Sequence, residues 1–200
     1  MKPEDSPYIV WFDGEMTGNR PDDVLIEVGV VLTDRNLVEI DSQSIALALP
    51  ETYWPFMDPF VVAMHTKNGL LADCAKSEVE TRDADAQLVA WIKKYTAGDH
   101  IPLAGSGVSH FDRRFIQKDL PKFDKYLSYW AYDVGTIRRT LKLFGIDASM
   151  ADTTDDKTHR AIDDIRAHVE EMRRYKKMFL DMEQAAKLYV FDAISRVWPG

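Results

Sequence analysis

Residues 8–18 read YIVWFDGEMTG. The first five are β-branched or aromatic, a composition that fits a buried strand. The run ends on Asp13-Gly14-Glu15, which sets two carboxylates at the mouth of that strand. On a strand, residues i and i+2 point to the same face, so Asp13 and Glu15 can reach the same hard cations. Two anions this close, among apolar residues and glycines, are costly unless a cation joins them. A second apolar run, VLIEVGVVL at 24–32, carries Glu27 and Gly29 inside it, and DRN at 34–36 turns the chain into further apolar stretches at 37–40 and 44–49. Runs linked by such short turns predict an antiparallel start to a sheet.

Further along, residues 50–59 are rich in Pro, Trp, Tyr and Phe and suit a binding rim better than regular structure. A short helix is expected at 59–65. Residues 83–95 place Leu88, Trp91, Ile92 and Tyr95 on one helical face, with Gly98 as the stop. A brief buried strand is predicted at 101–104, a helix at 111–119, a strand at 129–134 and a helix at 136–144. A long charged amphipathic helix over 160–182 and a separate C-terminal one over 184–197 complete the reading. Antiparallel strands followed by alternating helix and strand predict an α/β sheet whose strand ends present loops to one edge. Without repeats, low-complexity stretches or linkers, residues 1–200 are expected to form one domain, with 183–200 as its helical extension.

Composition narrows the function. The 200 residues carry 25 basic and 33 acidic side chains, a net charge of −8, the wrong sign for a protein that coats long nucleic acids. A single cysteine, Cys74, leaves no intramolecular disulfide and no Cys-rich zinc site, and fits a reducing compartment. The first residues carry two acids before a short apolar run, unlike a secretory leader, and no apolar run reaches the ~18 residues of a membrane span. A cytoplasmic protein without membrane partners is expected.

More acids fall where strands end. Asp112, in SHFDRRF, opens a helix after the 101–104 strand. In THRAIDDIR, His159 precedes Asp164 by five residues, an offset that would turn the two side chains ~140° apart on one regular helix. His159 is therefore expected on the loop leading into the helix, with Asp164 in its first turns and Asp163 pointing elsewhere. Four carboxylates with a neutral histidine are the donor set of two-metal phosphodiester hydrolysis, which uses divalent cations ~3.5–4 Å apart. An unperturbed imidazole pKa of ~6.5 suits His159 to take the proton of the attacking water.

In their order Asp13, Glu15, Asp112, and His159 with Asp164, these residues resemble the DEDDh family of 3′-to-5′ exonucleases, and most closely its oligoribonuclease branch. WFDGEMTG, MHTKNGL at 64–70, FDRRF, DVGT at 133–136 and THRAIDDIR all look like signatures of that branch. The likeness spans residues 8 to about 179. It implies an RNase H-like α/β fold with a mixed five-stranded sheet flanked by helices. It also implies Asp13, Glu15, Asp112 and Asp164 as ligands of two divalent cations, Mg²⁺ or Mn²⁺, with His159 as general base. Met16, Thr17, Phe60, His65 and Tyr129 would contact substrate, Phe60 by stacking a base. The implied partners are short single-stranded RNA or DNA oligonucleotides and a second copy of the chain in a homodimer.

The sequence departs from that pattern at three places. Asn19 stands where an apolar wedge is usual, and Trp130 and Gly135 stand where polar groups would cap the 5′ phosphate of a two-residue RNA. A looser choice of substrate length follows. Against an active exonuclease stands a catalytically silent RNase H-like binding module, which would usually have lost one of the five site residues. All five are present. A two-metal phosphatase or endonuclease would differ in cleaving circular or 3′-blocked substrates. The basic clusters at 93–94, 113–114, 138–142 and 173–177 read as solvated helix faces, with at most one of Arg113 and Arg114 available to orient phosphate.

Overall fold

A computed structural model describes residues 2, 5–98, 100–146 and 158–197, the stretch 190–197 by its backbone alone. Five strands form one sheet in the order β3-β2-β1-β4-β5: β1 (Tyr8–Met16), β2 (Leu25–Asp34), β3 (Glu39–Ala46), β4 (Ile101–Gly105) and β5 (Leu127–Asp133). β1, β2 and β3 pair antiparallel, and β4 and β5 join parallel to β1. The central strand β1 is thus antiparallel to β2 and parallel to β4.

β1 does not stop at Phe12. Asp13, Gly14 and Glu15 remain in the ladder, opposite Gly29, Val28 and Glu27 of β2, so cross-strand pairing carries the strand through residues of low β propensity. The apolar stretches at 37–40 and 44–49 overlap the two ends of one edge strand, β3, whose polar middle is only partly covered.

Helices α1 (Pro59–Lys67), α2 (Leu70–Lys76), α3 (Thr81–Ile92), α4 (Asp112–Asp119), α5 (Pro121–Asp124), α6 (Val134–Leu143) and α7 (Ala161–Val197) cover the sheet. Residues 51–56 of the aromatic segment form a 3₁₀ turn. Val10, Phe12, Val28, Val30 and Leu103 pack with Leu88, Trp91, Phe115 and Phe123 in one cluster, and Trp11, Val31 and Ala104 pack with Ile165, Val169 and Tyr175 in another. This alternation along β1 and β2 is that of a sheet with both faces buried. Cys74 is buried, its thiol donating to the carbonyl of Ile26, and burial pushes that thiol up to about 12, as expected of an inert structural cysteine.

Two expectations for the helices change. α2 was not foreseen, and the two predicted C-terminal helices are one continuous helix of 37 residues, α7. Lys177–Asp181 and Glu183–Lys187 pairs of i,i+4 spacing flank the expected break, which holds no Gly or Pro. No helix among the described residues is long and apolar enough to cross a membrane.

Candidate active site

The carboxylates gather where β1 leaves its parallel partner. β4 pairs with β1 only at Val10 and Trp11, and further along, Asp112 uses that free side. From the first position of α4, its buried carboxylate accepts a hydrogen bond from the backbone N–H of Gly14, between Asp13 and Glu15. Burial, with the nearby charge of Asp133, pushes the Asp112 carboxyl up to about 7, against the relief given by the Gly14 amide and Arg114.

On the other side of Glu15 stands the beginning of α7. Oxygen or nitrogen atoms of Glu15, His159 and Asp164 all lie within 4.8 Å of one another, a group that could hold a metal ion. Glu15 is 9% exposed and Asp164 7%. His159 lies just before α7 and Asp164 in its first turn, while Asp163 is exposed and accepts from the hydroxyl of Thr158. His159 has a left-handed backbone, φ 50°, a conformation that costs a non-glycine residue ~1–2 kcal/mol and must be held by its surroundings.

The holding groups come from distant segments. Glu27, directly opposite Glu15 in the ladder and 1% exposed, receives the Arg160 guanidinium at 2.9 and 3.1 Å and the backbone N–H of Ala161 at 2.9 Å. A carboxylate from β2 thus caps α7 at the positive end of its dipole. Arg160 also reaches Asp73 of α2 at 3.0 Å. α7 comes so near β2 that a Cβ on Gly29 would lie 2.9 Å from the backbone of Ala161, so only glycine lets the helix start there. From the α1–α2 turn, the Asn68 amide donates to the carbonyls of Thr158 and His159, at 3.1 and 2.5 Å.

His65 joins from α1, fully buried, with Nε2 3.4 Å from a Glu15 oxygen and Nδ1 3.4 Å from the Asn68 amide nitrogen. Burial, then the nearby His159 imidazole and Arg160 guanidinium, lowers it to about 4, so it is neutral at pH 7.

The remaining substrate-contact candidates divide. Phe60 is 74% exposed on α1 and Tyr129 84% exposed on β5. Met16 and Thr17 are buried; the Thr17 hydroxyl donates to Asp23 and its N–H to the Val24 carbonyl, so these two residues shape the rim from below. Arg113 is committed to Asp124 and the Ser128 carbonyl, and Arg114 lies over Phe111 and Phe115 while donating to the carbonyl of Asn19. Both arginines therefore hold structure. Glu27 and Asn68 were not singled out from the sequence as site residues. An acid inside the apolar run VLIEVGVVL was the available signal for Glu27, because a buried carboxylate needs a partner.

The exonuclease family profile of RNase T type matches residues 10–172. The chain belongs to the exonuclease family. It is a 3′-to-5′ exonuclease, a hydrolase of phosphodiester bonds. It is 30% identical to the oligoribonuclease of Francisella tularensis subsp. tularensis (strain WY96-3418), over 87% of this chain and 97% of that one. A probable oligoribonuclease of Schizosaccharomyces pombe is 33% identical, over 86% of this chain and 68% of its own. Among solved structures, the zinc-bound form of an E. coli exonuclease I–ssDNA complex superposes with a TM-score of 0.61 at 15% identity, over 94% of this exonuclease but 43% of that chain. The exonuclease therefore spans less than half of exonuclease I and shares its fold, which is the RNase H-like one expected from the sequence.

Proposed function

We propose that this exonuclease removes 5′-mononucleotides from the 3′ ends of short single-stranded RNA or DNA. Asp13, Glu15, Asp112 and Asp164 would bind two divalent cations, and His159 would act as general base. The observation that carries this reading is the convergence of Glu15, His159 and Asp164 within 4.8 Å, with Asp13 two residues before Glu15 on β1 and Asp112 against the backbone of Gly14 between them. A carboxylate-rich set suits hard cations such as Mg²⁺ or Mn²⁺. The fit is also electrostatic: Asp112 is charged at pH 7 only at a cost, which a cation would offset.

The cations would supply Lewis acidity at the scissile phosphate. His159 accepts the proton of the attacking water as its oxygen bonds to phosphorus and the bond to the 3′ oxygen breaks. That oxygen takes a proton from solvent and leaves as the new 3′ hydroxyl, while the 5′-mononucleotide departs. Phe60 and Tyr129, open to solvent, offer stacking faces worth ~1–3 kcal/mol per base without sequence readout. His65, neutral and turned on Glu15, orients that carboxylate at the rim that Met16 and Thr17 shape. A homodimer, supported by the likeness to oligoribonucleases, would bring a second chain near this rim.

Digestion of 5′-labelled RNA and DNA of roughly two to twenty nucleotides, with free or blocked 3′ ends, tests the proposal. The expected result is stepwise shortening from free 3′ ends only, dependent on Mg²⁺ or Mn²⁺, with two- and five-residue substrates consumed at similar rates. Cleavage of blocked or circular substrates would contradict the exonuclease mechanism. A strong advantage for dinucleotides would contradict the looser length choice read from Trp130 and Gly135.

A further inference from the structure

We propose that Asn68 is a positioning residue for hydrolysis, holding His159 in its left-handed conformation by gripping the peptide groups on both sides of it. The inference rests on His159 being the general base. The Thr158 carbonyl belongs to the peptide plane before the His159 Cα and the His159 carbonyl to the plane after it. The angle between those planes is what φ and ψ of His159 describe. One side-chain amide donates to both carbonyls, at 3.1 and 2.5 Å, and so fixes the dihedral pair at φ 50°. The direction of the Cα–Cβ bond, and with it the place of the imidazole beside Glu15 and Asp164, follows. The next residue, Arg160, is anchored independently on Glu27, so His159 hangs between two fixed points.

The amide nitrogen only donates. His65 Nδ1 lies 3.4 Å from the same nitrogen, whose two hydrogens serve the Thr158 and His159 carbonyls, and Nε2 lies 3.4 Å from Glu15. The Asn68 oxygen accepts from the Leu70 N–H at 3.0 Å and secures the start of α2 next to Gly69, which has φ 80°. The donor half of the side chain serves the His159 loop, and the acceptor half serves its own turn.

Asn68→Asp separates these halves, since it keeps the acceptor for Leu70 and places a carboxylate oxygen against two carbonyls. On a short oligonucleotide with Mn²⁺, Asn68→Asp and Asn68→Ala are expected to lower kcat by roughly 10- to 100-fold with KM within about 2-fold, a part of what a general base contributes. In a His159→Ala background, Asn68→Asp is expected to cost less than about 2-fold, because a residue acting through His159 has nothing further to lose. In the metal-free protein, Asn68→Asp is expected to speed amide hydrogen exchange over 158–161 by about 10-fold or more. Wild-type kcat in Asn68→Asp, losses that multiply in the double variant, or unchanged exchange would overturn the inference. A His159→Ala protein with wild-type kcat would overturn the base assignment first and this inference with it.

Discussion

Helix α7 begins against Glu27 and Asn68, and between Phe179 and Tyr189 it runs with its side chains in water. Its first turns carry buried Ala161, Asp164 and Ile165, whereas every described side chain from Phe179 to Tyr189 is exposed, Leu180 and Leu188 included. The same helix is thus positioned by tertiary pairs at one end and sustained by local propensity and i,i+4 ion pairs at the other. Length is a local property; placement is not. The proposed cation site lies at the placed end.

That contrast can be broken at several points. The largest effect is expected from Asp164→Asn, which should lower turnover by about 10³-fold with little change in melting, as for loss of a preorganised group acting on the transition state. His159→Ala should follow at roughly 10²- to 10⁴-fold; steady-state kinetics on a short oligonucleotide checks both.

Asp112→Asn should trade stability against activity. With a carboxyl pushed from 3.8 to about 7, the folded metal-free protein keeps a proton that the unfolded chain has released across that window. Stability therefore falls as pH rises through the window and changes no further above it. His65, lowered from 6.5 to about 4, acts with the opposite sign: its contribution is complete above 6.5 and is lost as pH falls toward 4. Asp112→Asn should raise metal-free stability at about pH 8 by roughly 2–4 kcal/mol, abolish activity, and leave a melting curve that rises with pH. Thermal melts from acid to neutral pH would show it.

Glu27→Gln strips the α7 cap of its charge while Arg160 remains partly exposed and paired to Asp73. A loss of about 2 kcal/mol in denaturant unfolding is expected, below the full cost of orphaning a buried charge. The smallest effect belongs to the free end: Leu188→Ser, at a side chain 63% exposed, should change unfolding by less than about 0.5 kcal/mol.

The same contrast explains what was legible in the sequence. β1 and β2 announced themselves by apolar runs, α3 by helical periodicity, and His159 by an offset from Asp164 that no single helix can satisfy. Asp13 and Glu15 were read at the end of β1, and the β2 ladder, not residue preference, carries the strand through them. The break expected near residue 183 was absent because nothing local stops the helix there. α2 is short and its buried face, Leu70, Leu71 and Cys74, packs against Ile26, which periodicity over seven residues could not distinguish from a loop. Asn68 lies 91 residues from His159 and Glu27 133 from Arg160; pairs at that separation exist only once the sheet has formed.

The central claim is that this anchored end of α7 completes a divalent-cation site with Glu15. Calorimetric titration of the metal-free exonuclease and its Glu15→Gln variant with Mn²⁺ tests it most directly. The account predicts saturable binding weakened about tenfold or more in Glu15→Gln, with the melting temperature little changed, because the charge of a hard oxygen ligand sets affinity. Equal affinity and stoichiometry in the two proteins would contradict it.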